Sequence, residues 1–196
     1  NMEEAISFLR KSGMASAVKK EGRETKEGVI VAAEGKDAIA ILEINSETDF
    51  VAKNDKFLEF CKNVAQEAAS TRPASLELFV QQPYSKDPQL TIDNYRSLMV
   101  QTIGENIQIS RLKLLPQPQN HSLGISSHLG RKILTCVELD VQGEEALGKE
   151  VAMHVAAASP EFLNPETVPQ EIVAKEREIA REQVKGKPAN IMDKIL

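Results

Sequence analysis

The chain has 196 residues, an apolar fraction of 41% and a formal net charge of −5, enough for one globular domain or two small ones. The acidic balance argues against a dedicated nucleic-acid binder. No apolar run approaches the roughly 18 residues that cross a bilayer, and no signal-peptide pattern opens the chain. The two cysteines, Cys61 and Cys136, lie in an apolar helix pattern and an apolar strand pattern and read as reduced small hydrophobes in a cytosolic setting.

Residues 2–20 read as helix, with Ala5, Ile6, Leu9 and Met14 among the apolar positions and Gly13 as a candidate stop. Residues 19–26 are charged and mixed in sign, which predicts a linker. Residues 28–33 and 38–45 form two apolar runs around Glu34-Gly35-Lys36-Asp37, a hairpin pattern.

Glu47 to Lys56 is the most informative stretch. Thr48 is a good helix N-cap, yet an acid, Asp49, and a bare aromatic, Phe50, follow it. A strand that delivers Asp-Phe on a tight turn presents a charge and an aromatic wedge at the mouth of the fold. That is the equipment of a binding tip, because aromatic anchors carry interface energy. Phe50 has a bland alternative, a core residue closing the end of the sheet, since Val51 and Ala52 can also face inward. Asp49 has one too, as a first-turn cap.

Asn54 or Asp55 then caps a helix on which Phe57, Phe60, Cys61, Val64, Ala65 and Ala68 recur at three and four residues. Residues 72–90, with Pro73, Pro83 and Pro88, read as an irregular excursion. A helix over 92–103 follows, ended by Gly104 at C′, and 106–115 alternates imperfectly, as a strand with a bulge does. After a loop at 116–121 the pattern repeats. Residues 122–127 and 131–140 pair around Gly130, and a helix covers 144–158. Ala40-Ile41-Leu42-Glu43-Ile44-Asn45 aligns with Thr135-Cys136-Val137-Glu138-Leu139-Asp140, and Val64-Ala65-Gln66-Glu67-Ala68-Ala69-Ser70 with Met153-His154-Val155-Ala156-Ala157-Ala158-Ser159. The second copy lacks the Thr-Asp-Phe turn.

Residues 168–196 are charged and helical, with Val168, Ile172 and Ile179 forming a seam. Gly186-Lys187-Pro188 stops the helix, and Ile191, Met192, Ile195 and Leu196 begin a second arm. The expected fold is α+β: two repeated small antiparallel-sheet-plus-helix subdomains, an N-terminal helix and a C-terminal antiparallel helical hairpin. The expected boundaries are 1–26, 27–115, 116–165 and 166–196.

Asn45-Ser46-Glu47-Thr48-Asp49-Phe50-Val51-Ala52, Gly104-Glu105-Asn106-Ile107, Ala152-Met153-His154-Val155-Ala156-Ala157 and Pro160-Glu161-Phe162 closely resemble the bacterial-type translation elongation factor Ts family. Glu4-Ala5-Ile6 with Leu9-Arg10-Lys11-Ser12-Gly13 resembles the last helix of that family's small ubiquitin-associated-like domain. By that resemblance the chain begins inside that domain and stops within the second hairpin arm. The 72–90 excursion is longer and more proline-rich than the family pattern.

The resemblance implies a guanine-nucleotide exchange factor that binds elongation factor Tu, GDP-bound and nucleotide-free, in the cytoplasm or an organellar matrix. It implies no cofactor, no metal and no covalent chemistry. It assigns partner contact to Thr48, Asp49, Phe50 and Val51, and to Met153 and His154 on the second repeat's helix. Without it, His154 among Val151, Val155 and Ala158 reads as a core histidine.

Two rival readings stand beside this one. An enzyme pairing Asp49 with His154, with His121 or His128 as a metal ligand, has no His-Glu-x-x-His, Cys-x-x-Cys or Gly-rich phosphate loop behind it. An RNA-associated or scaffold module without exchange activity rests on Lys19-Lys20, Arg23, Arg131-Lys132 and the C-terminal hairpin, and its basic patches are small and diluted by acids.

Overall fold

In the computed structural model, which describes residues 2–117, 119–185, 191, 194 and 195, helix α1 (Met2–Lys20) runs straight through Gly13. The glycine is a contact point instead of a stop. A Cβ there would sit 3.0 Å from Leu98 Cδ2 and 3.1 Å from Gln101 Oε1 on helix α5 (Ile92–Ile103), so its absence lets the two helices approach. Gln101 Nε2 donates to Ser12 Oγ across the same contact, at 3.0 Å.

The chain divides into two compact units, residues 1–157 and 158–196. The first is built on a three-stranded antiparallel sheet of β1 (Glu27–Glu34), β2 (Ala38–Ser46) and β5 (Ile107–Pro116), with β2 in the middle. Alternation places Ala40, Leu42 and Ile44 on the core face, all fully buried. The expected bulge falls at Ser110: Glu43 pairs with Arg111 and Ile44 with Ile109, which leaves one residue of β5 without a partner position.

Helix α3 (Asp55–Thr71) covers that face with Phe57, Phe60, Val64, Ala65 and Ala68, all fully buried. Its cap is Asn54, whose Oδ1 accepts from the backbone N–H groups of Lys56 (3.0 Å) and Phe57 (3.3 Å). Helix α5 begins in a capping box at Thr91 and ends at Gly104, φ 91°, a left-handed conformation that suits glycine.

The 72–90 stretch departs from expectation. It folds into helix α4 (Leu76–Gln81) and a short hairpin of β3 (Pro83–Tyr84) and β4 (Asp87–Thr91). Ser75 caps α4 and Phe79 is fully buried. Tyr84 stacks on Tyr95 with centroids 4.8 Å apart, and Tyr95 meets Phe60 edge-on at 4.9 Å. The buried carboxylate of Glu67 accepts from Ser85 N (3.1 Å) and Oγ (2.6 Å), fixing the hairpin turn. Three prolines suppress the local signal, and these tertiary contacts override it.

The second hairpin-plus-helix comprises β6 (Ser122–His128), β7 (Ile133–Leu139) and α6 (Glu145–Ala158). Strand and helix meet backbone to backbone: a Cβ on Gly124 would lie 1.9 Å from the carbonyl carbon of Gly148. Thr135 Oγ1 adds a bond to Ala152 O at 2.7 Å. The turn between the strands joins this repeat to the first, as Ile30 N–H donates to Arg131 O at 2.7 Å.

The second unit holds a 3₁₀ turn, Pro165–Thr167, and helix α7 (Gln170–Gln183), which buries none of its residues. The stop at 186–188 and most of the second hairpin arm lie outside the described residues.

Candidate functional site

At the end of β2, Ser46 Oγ donates to Thr48 O (3.1 Å), and Thr48 caps helix α2 (Asp49–Ala52), its Oγ1 accepting from Val51 N at 3.4 Å. One helical turn cannot face all its side chains inward. Val51 and Ala52 take the core positions, and Phe50 is left 82% exposed. The core alternative for Phe50 is therefore overturned, while Val51 is buried as the anchor of the turn. Asp49 is not the cap. It lies in the first turn, where its carboxylate accepts from Lys53 Nζ at 2.7 Å, a bond that holds its pKa below the ordinary carboxylate range.

The turn has a base that the local pattern does not announce. Thr48 N–H donates to Glu105 Oε2 (3.0 Å) and Thr48 Oγ1–H to Glu105 Oε1 (2.7 Å). Next door the exchange is reciprocated: Asn106 N–H donates to Glu47 Oε1 at 2.6 Å. The fully buried Asn106 also donates from Nδ2 to the carbonyls of Glu21 (3.2 Å) and Arg23 (2.9 Å) in the α1–β1 connection. Glu105 and Asn106 stand in the sequence beside Gly104, and only the family likeness marks them there.

The β6–β7 turn approaches the tip as well. Lys132 Nζ pairs with Glu27 Oε2 at 2.6 Å, and its charge helps lower the Asp49 pKa. Met153 and His154 are both exposed on α6, which overturns the core reading of His154. Met153 opens onto a cleft of about 990 Å³ that Ile30, Leu58, His128 and Lys149 also line; His154 is not among its lining residues.

The histidines do not converge. His121 Nδ1 lies 2.7 Å from Glu138 Oε1 and its Nε2 3.0 Å from Asp140 Oδ1. His128 Nε2 lies 2.8 Å from Ser126 Oγ, which is buried. The length of β6 separates the two, seven residues or roughly 23 Å of extended chain. Among the described residues no group of three or more His, Cys, Asp or Glu is arranged to hold a metal ion. Both cysteines are free, and burial pushes the Cys61 thiol up, away from reactivity.

An exposed aromatic on a braced turn is the equipment of a binding tip. Comparison with known proteins shows the family. The family model for elongation factor TS matches residues 47–196. The chain is 58% identical over 197 residues to Elongation factor Ts of Protochlamydia amoebophila (strain UWE25). It is 44% identical over 197 residues to that of Chlamydia felis (strain Fe/C-56), and 42% over 196 residues to that of Chlamydia muridarum (strain MoPn / Nigg). Each alignment spans all of this chain and 70% of the relative. The chain belongs to the elongation factor Ts family of translation elongation factors.

Proposed function

We propose that this chain is a guanine-nucleotide exchange factor that binds elongation factor Tu carrying GDP, opens its Mg²⁺ and phosphate pocket, and so lets GTP replace GDP. The observation that carries the reading is Phe50, 82% exposed on a turn whose other apolar side chains are buried. The ring inserts between side chains of the GTPase behind the Mg²⁺ site and displaces one of them. Asp49 meets polar or helix-N-terminal backbone groups beside it, exchanging its bond to Lys53 for donors on the partner. Met153 and His154 on α6 offer a second, weaker contact.

No bond is made or broken in this scheme. Exchange factor and nucleotide bind the same GTPase with negative coupling, and each weakens the other by the same factor. The cytoplasm is the site of action this reading implies, and no helix among the described residues is long and apolar enough to cross a membrane. The RNA-module reading loses support from the pairing of its cations: Arg23 lies 3.5 Å from Glu47, and Lys132 is taken by Glu27.

The test is release of fluorescent GDP from elongation factor Tu, chased with excess GDP, with and without this chain. Acceleration that Phe50→Ala abolishes is the expected result. A folded chain that neither binds elongation factor Tu nor accelerates release overturns the proposal.

A further inference from the structure

We infer that Glu105 is a positioning residue for exchange: its carboxylate, gripping both the N–H and the hydroxyl of Thr48, holds the Phe50 turn in the one conformation that presents the ring. This rests on the exchange reading above, and deepens it. Three observations point the same way.

The grip is bidentate, 2.7 and 3.0 Å, and one of its bonds goes to the residue that caps α2. A four-residue helix has no stability of its own, so its orientation is set by its cap and by the burial of Val51 and Ala52. Glu105 itself is anchored at its root. It follows Gly104 at the end of α5 and precedes Asn106, which is fully buried and bonded to Glu47 and to two carbonyls of the α1–β1 connection. The tip is thus referenced to α5 and to the segment after α1 through residues nearly sixty positions away in sequence.

Without the grip, Thr48 and Phe50 sample orientations that do not bind, and apparent affinity falls by the fraction of chains still in the competent one. The maximal exchange rate at saturation is untouched, since Glu105 meets neither nucleotide nor partner in this scheme. Glutamine at 105 keeps a carbonyl for the Thr48 N–H, and its NH₂ can donate to Thr48 Oγ1, so the geometry survives the loss of charge.

The experiment is the dependence of GDP release from elongation factor Tu on the concentration of this chain, for wild type, Glu105→Ala and Glu105→Gln, together with the Kd for nucleotide-free elongation factor Tu of the same three chains and of each in a Phe50→Ala background. For Glu105→Ala the half-saturating concentration is expected to rise on the order of tenfold with the maximal rate unchanged. Glu105→Gln should restore most of the loss. In the Phe50→Ala background, Glu105→Ala should add nothing.

Circular dichroism and melting curves on the same samples separate folding from positioning, and if Glu105→Ala fails to fold, Thr48→Val, which removes the hydroxyl half of the grip, takes its place with a rise in half-saturating concentration expected. Three outcomes overturn the inference: Glu105→Ala behaving as wild type, both substitutions being equally impaired, or the full loss persisting without the Phe50 ring. A wild-type chain that fails to accelerate release overturns the exchange reading instead, and is seen before any variant is compared.

Discussion

Phe50 keeps its ring in water because its neighbours are anchored, since the ring has no packing of its own to hold it there. Phe50→Ala should therefore leave the melting temperature of the free chain unchanged while weakening the complex with elongation factor Tu by about 2–4 kcal/mol, read from the Kd. Asp49→Ala should cost less, and His154→Ala less still. Val51→Ala should do the reverse, destabilising the free chain by about 1–2 kcal/mol in urea titration, because its side chain is core.

His121 offers a pH test. The bond to Glu138, and then the nearby charge of Asp140, hold its pKa above the ordinary 6.5. A folded pKa above the unfolded one makes this contribution fully present below the unfolded value and lost as pH rises through the raised one. An NMR titration of the ring should show the upward shift, and Glu138→Gln should reduce it.

Among the elements, the helices with local signals are the ones legible in the sequence. Helix α5 spans the expected 92–103 and ends at Gly104, and α3 carries the expected stripe from Phe57 to Ala68. Asn54→Ala should cost about 1 kcal/mol through the lost cap, measured by urea titration.

Long-range terms escaped the reading. The 72–90 excursion is organised by Phe79, Tyr84 and the Glu67–Ser85 bonds, none of which has a periodic signature. Gly13 read as a stop because a glycine in a helix looks alike whether it ends the helix or admits a neighbour. Val51 is a partner contact by family likeness and can also face inward by its sequence, and one helical turn buries it in the free chain. The Glu105 grip is invisible to any local window.

Close backbone crossing is similarly hidden. Gly124→Ala should cost about 3 kcal/mol or more, the upper end for overpacking, because the added carbon strikes the backbone of Gly148 rather than a movable side chain. The loss should appear as early unfolding of β6, β7 and α6.

At the scale of the molecule, stability is unevenly spread. Helix α3 buries eight residues and α7 none, so amides of α7 should exchange with solvent well before those of α3. Hydrogen exchange followed by NMR or mass spectrometry would show this, and equal protection would contradict it.

The stack of Tyr84 on Tyr95 has an optical consequence. These are all the tyrosines of a chain with no tryptophan, so its entire near-ultraviolet emission comes from one aromatic cluster beside the β3–β4 hairpin. Burial pushes the Tyr84 phenol up to about 12, keeping that emission constant across the working pH range. Light beyond the red edge of the tyrosine band passes the chain unabsorbed, so in a mixture any tryptophan signal belongs to the partner. Association can thus be watched from the partner's side, with both proteins unlabelled.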